Sequence, residues 1–107
     1  MAIKYKNAKK DLTSTDATVV LTATSATTCI IKSILVSEDS GNADTVTVTI
    51  TDAADAVFSV FKVKAVAANT TVELLTQPLV LAESEVLKAA AATANRLHVV
   101  ASYMEIS

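Results

Sequence analysis

The clearest period in the chain is Thr45–Thr51, TVTVTIT, where Val46, Val48 and Ile50 alternate with threonines. Alternation at period two predicts a half-buried antiparallel strand with its aliphatic side on a core and its hydroxyls outside. Three other runs are apolar at both parities. In Thr28–Ser37, TCIIKSILVS, Ile30, Ile34 and Val36 share one parity and Cys29, Ile31 and Leu35 the other, so the strand is expected to be covered on both faces. In Ala56–Val66, Phe58 and Val60 fall with Lys62 and Lys64, while Val57, Phe61 and Val63 fall opposite. Arg96–Ile106 sets Leu97, Val99, Ala101 and Tyr103 against His98, Val100, Met104 and Ile106.

The stretch from Ala67 to Ala89 reads as strand, bend, strand, turn, strand. Two short apolar runs, Val72–Leu75 and Leu79–Leu81, flank Pro78, which cannot donate a ladder hydrogen bond and so belongs at a bend or an edge. Val86–Ala94 contains strong helix formers, KAAAATA. Too few residues precede the last run for a packed helix and a linker, so a strand is expected there. Thr18–Thr24 predicts another strand. Ile3 and Tyr5 alternate with Lys4 and Lys6, giving a short first strand or an extended arm. Turns are expected at Asp11–Asp16, at Ser37–Asp44 as a hairpin loop with Gly41 at positive φ, and at Asp52–Asp55. The sum is about eight strands: an all-β, single-domain antiparallel β-sandwich, jelly-roll-like, over residues 13–107, preceded by a basic arm or first strand over residues 1–12.

Composition agrees with that pattern. A chain of 107 residues buries roughly two thirds of its unfolded surface around one core. With two Phe, two Tyr and no Trp, its apolar half is mainly aliphatic, and many of these residues are β-branched, suiting pleated surfaces. One Gly and one Pro leave the turns to Asn, Asp and Ser.

A net charge of −2 gives no long-range steering toward nucleic acid, and no direct nucleic-acid partner is expected. The distribution is uneven, however. Lys4, Lys6, Lys9 and Lys10 crowd the first ten residues, as a solvated arm or as one that docks on an acidic neighbouring subunit. The N-terminus lacks the apolar segment of a signal peptide, and no run is long enough to span a membrane, so neither secretion nor a membrane partner is expected. Cys29, the sole cysteine, sits among aliphatics as a small hydrophobe.

Candidate chemistry is sparse. His98, the only histidine, lies between Leu97 and Val99 with no partner signalled for general-base work. A chain with one glycine holds neither a G-x-S-x-G elbow nor a glycine-rich phosphate loop. Glu38, Asp39, Asp44, Asp52 and Asp55 carry oxygens suited to Ca²⁺ but lack EF-hand spacing, and turn chemistry accounts for them. Four dispersed aromatics make no stacking platform. No catalytic residue, metal or cofactor is expected. The candidate interaction residues are Ile3, Lys4, Tyr5, Lys6, Lys9, Lys10, Phe58 and Phe61: the basic segment and the two phenylalanines of Ala56–Val66, a strand with more apolar surface than one sheet face covers. Three strands with two apolar faces exceed what one two-layer core covers, so burial against copies or a partner is expected.

Several of these motifs resemble the small virion structural proteins of tailed bacteriophages, including phages of cyanobacteria. They are Thr28-Cys-Ile-Ile-Lys-Ser-Ile-Leu-Val-Ser, the Thr-Val-Thr-Val-Thr-Ile-Thr-Asp strand from Thr45, Val72-Glu-Leu-Leu, Pro78-Leu-Val-Leu, Val86-Leu-Lys and Leu97-His-Val-Val-Ala-Ser-Tyr. The similarity runs from about Ala17 onward and departs at Ser84-Glu85, where a Gly-Asp turn would be expected. It implies an accessory virion component that assembles as a homo-oligomer, with a trimer as the first expectation, on the major capsid protein or another virion protein. Capsid decoration, or cement, is the leading role. A neck, tail or fibre-associated position and a carbohydrate-binding module are the alternatives.

Overall fold

The computed structural model describes all residues, 1–107, as nine strands without a helix. They are β1 (Ile3–Leu12), β2 (Thr18–Thr22), β3 (Thr28–Glu38), β4 (Asp44–Thr51), β5 (Val57–Val66), β6 (Thr71–Glu73), β7 (Leu79–Leu81), β8 (Val86–Ala91) and β9 (Leu97–Ile106). One sheet runs β1-β9-β3-β6 with β7 also on β3, and the other runs β2-β8-β4-β5, all antiparallel. β6 and β7 pair with opposite ends of the same edge of β3, so they are two halves of one strand position. With that position counted once, the chain changes sheet at every connection except the β4–β5 hairpin, the order of a jelly roll.

The break between β6 and β7 follows from the residues there. Pro78 cannot join the ladder, and β3 carries a bulge at Lys32, between the Ile31 and Ser33 registers. Glu73 fills the gap: its carboxylate accepts hydrogen bonds from the Ser33 hydroxyl, from Ile34 N at 2.8 Å and from Leu75 N at 3.2 Å. These bonds outweigh the opposing effect of burial and lower the Glu73 pKa below the usual carboxylate range.

The same bulge corrects the parity expected for β3. Cys29, Ile31, Ile34 and Val36 all point into the core, because the extra residue shifts the alternation by one, while Ile30 and Leu35 face outward. β3 is therefore not covered on both faces. The expected hairpin at Ser37–Asp44 is instead an arch, since β3 and β4 lie in different sheets. Gly41 does take a positive φ, 84°. Glu38 holds the arch: its buried carboxylate accepts bonds from Ser40 N, Gly41 N, Asn42 N, Asn69 N and the Ser40 hydroxyl. Burial alone would raise the Glu38 pKa, but these donors prevail and hold it at about 2.

The core comprises the inward residues of both sheets, including Leu12, Ile31, Ile34, Val46, Val48, Leu81, Leu87, Leu97 and Val99. Val86–Ala91 is a strand despite its alanines, paired with β2 on one side and β4 on the other; two ladders and the burial of Leu87, Ala89 and Ala91 override helix propensity. The inward set of β9 is Leu97, Val99, Ala101 and Tyr103, as its period predicts.

Candidate interaction surface

Residues 3–12 are an edge strand, hydrogen-bonded to β9 along their whole length. Cross-strand partners share a face, so Ile3, Tyr5, Asn7, Lys9 and Asp11 lie on the outer face, opposite Ile106, Met104, Ser102, Val100 and His98. Lys4, Lys6, Ala8, Lys10 and Leu12 lie on the other face. Leu12 there closes the core, and Lys6 reaches Glu105 at 3.2 Å.

Following the registers across β9, β3, β6 and β7 orders the outer face into five rows. The first holds Ile3, Ile106 and Thr28, and the second Tyr5, Met104, Ile30 and Val80. The third is polar, with Asn7, Ser102 and Ser33; the fourth holds Lys9, Val100, Leu35 and Glu73. The fifth holds Asp11, His98, Ser37 and Thr71. Tyr5 and Val80 are 80% and 54% exposed, so the second row is a four-strand apolar band in contact with water. At the far end, the His98 ring lies 3.3 Å from Asp11 and 3.7 Å from Asp39, a solvated polar cluster.

A second apolar surface lies on β5, the edge of the four-stranded sheet. Its partners Ile50 and Val48 put Phe58 and Phe61 on the core side, yet Phe58 is 57% exposed. The matching order of the sheets sets the broken β6–β7 position opposite β5, and two three-residue pieces cannot cover a ten-residue strand. Two bulges also reset the alternation of β5, so that Lys64 rather than Val63 falls opposite Val46. At one of them Val63 adopts φ 52° and its N–H donates to Thr47 Oγ1 at 3.0 Å.

The eight candidate residues thus separate. Ile3, Tyr5 and Lys9 share the outer face of β1; Lys4, Lys6 and Lys10 line its other side; Phe58 and Phe61 belong to the opposite flank. The residues that complete the apolar band, Ile30, Val80, Met104 and Ile106, were not among the candidates. For Ile30, Met104 and Ile106 the signal was the apolar excess on the second face of the β3 and β9 sequences, which needed a strand order to become a surface; Val80, in β7, joins them only through its pairing with Ile30.

Reactive groups are placed quietly. Cys29 is buried, and burial pushes its thiol pKa up, as it does the Tyr103 phenol. No three His, Cys, Asp or Glu side chains gather into a set able to hold a metal ion. An open depression of about 540 Å³ between Asp44, Val66 and Arg96 contains two charged groups, both engaged in loop bonds: Asp44 accepts from Thr93 N at 3.0 Å and Arg96 donates to Ala43 O at 3.0 Å. Compared with known proteins, the chain matches no family model, no curated protein and no solved structure.

Proposed function

We propose that this protein is a non-enzymatic structural component of a phage particle, a decoration or cement subunit that works by burying apolar sheet surface in assembly, whether against its own copies or against other subunits of the particle. The observation that carries the reading is the exposed band Tyr5–Met104–Ile30–Val80, with Ile3 and Ile106 beside it. The core is built from the inward faces of the two sheets, so apolar side chains on the outer face of one sheet have no internal use, and contiguous surface of this kind marks association. The jelly roll is compatible, since that architecture serves viral shells, although it serves lectins too and fold alone assigns no role. A sugar-binding reading is disfavoured by the placement of the two largely exposed aromatics, Tyr5 and Phe58, in different sheets.

Mechanistically, many weak apolar contacts repeated over a shell add up through avidity and oppose the pressure of packaged DNA. The β1 and β5 edges are poorly suited to strand pairing. β1 presents lysines and β5 presents two bulges with Lys62 and Lys64, both devices that blunt edges. The test is quantitative protein analysis of purified virions and a density map of the particle. Decoration requires hundreds of copies on the head; about six to twelve copies at the neck or tail would replace decoration with the ring position. Absence from particles would overturn the reading.

A further inference from the structure

We propose that the outer face of the five-stranded sheet is a contact between two copies of this chain, stacked face to face about a two-fold axis that runs parallel to the strands between β9 and β3. This deepens the reading above, on which it rests for the view that the protein acts by association.

The row pattern selects both the occupant and the axis. A two-fold along the strands returns every row to its own level while exchanging left for right, so β1 of one copy lies over β6 and β7 of the other. Tyr5 then meets Val80, Met104 meets Ile30, and Ile106 meets Thr28. In the fourth row Val100 meets Leu35 and Lys9 comes over Glu73, opposite charges on the two edge positions of the face, the Glu73 carboxylate keeping its bonds within the bulge. The polar third row meets itself, and the exposed Lys32 at the bulge lies beside it. A two-fold across the strands, centred on the third row, would instead press Ile3 and Ile106 onto Asp11 and His98. That arrangement desolvates charge against aliphatic surface, which is costly. Of these two axes, the one along the strands matches the face to itself in polarity, as an isologous interface requires.

Size is sufficient. Four strand positions about 4.8 Å apart and ten residues of about 3.3 Å give a face of roughly 600 Å² in projection. Side-chain relief brings that near the roughly 800 Å² per partner of a standard specific interface. Aligned stacking of twisted sheets at about 30° needs no change in either sheet.

The test uses the full chain. Sedimentation should show a dimer at about 50 µM, and Tyr5→Lys or Val80→Lys should raise its Kd at least roughly 30-fold. Circular dichroism should stay unchanged, because both side chains are mainly exposed in the single copy. Lys9→Glu should also weaken the dimer, whereas Lys4→Glu, on the other side of β1, should not. Mixing Tyr5→Cys with Val80→Cys under a short bis-maleimide should give a covalent dimer that neither variant gives alone, since each cysteine would sit three strand positions, about 14 Å, from its symmetry mate even before the sheet gap is added. A monomeric wild type, a dimer indifferent to both lysine variants, or no mixed cross-link would overturn the proposal. Binding to purified phage heads separates the two claims: a monomer that still decorates particles refutes this interface alone, and a dimer found on no particle refutes the virion role alone.

Discussion

At the scale of single residues, two buried oxygens have opposite circumstances. The Thr51 hydroxyl is buried with no hydrogen-bond partner, whereas the Glu38 carboxylate is saturated with donors. An orphaned buried hydroxyl costs about 1–3 kcal/mol, so Thr51→Val, which keeps the shape, should raise unfolding stability by about 1 kcal/mol in urea titrations. For Glu38 the sign follows from its lowered pKa. A carboxyl held at about 2, against an ordinary 4.5, contributes stability that is fully present above pH 4.5 and is lost as pH falls toward 2. Glu73 acts in the same direction. Glu38→Gln should therefore lower stability at neutral pH and flatten the acid limb of the stability–pH curve. Parallel acid limbs for wild type and variant would remove Glu38 as the anchor of the arch.

At the scale of elements, the most unusual backbone belongs to β5. A β-branched residue at positive φ is a genuine outlier, and Val63, exposed and at a bulge, recovers little by burial. Val63→Asn should relieve the strain and add about 1 kcal/mol, seen as a rise of several degrees in Tm. A loss of stability would mean that the valine is held by packing the single copy does not show. Elements also explain where reading the chain succeeded. β4 and β9 carry no inserted residue of their own, so the expected inward sets hold for Val46 and Val48 and for Leu97, Val99, Ala101 and Tyr103; the period of Thr45–Thr51 lapses only at its end, where Thr51 is buried although the alternation puts its hydroxyl outside. In β3 one inserted residue moves every assignment beyond it to the other face, and in β5 two inserted residues move Phe61 to the face of Phe58 and then return Lys64 and Val66 to that face. No composition signal marks Lys32 as the extra residue; it is set by the partner strand and by Glu73, some forty positions away.

At the scale of the whole molecule, the ends of the chain are joined: β1 pairs with β9, and Ala2 and Ser107 exchange backbone bonds at 2.8 and 3.0 Å. The pairing makes the first ten residues part of the sheet, so removing them opens one edge of β9. Because β1–β9, β2–β8 and β3–β9 all close long loops, folding should be slow for this size, in milliseconds to seconds by stopped-flow, and not in microseconds. A microsecond phase carrying the full amplitude would contradict that topology.

By itself the sequence determined the class of the fold and the position of most strands, because side-chain parity and turn chemistry act over a few residues. It also determined that apolar surface would exceed the core. Only the tertiary structure decided which faces carry that surplus. Ile3, Tyr5, Ile30, Val80, Met104 and Ile106 come from four segments spread over the whole chain, and they become one band only when strand order and register bring them level. Register is fixed by pairing between distant strands, a long-range property that no local pattern contains.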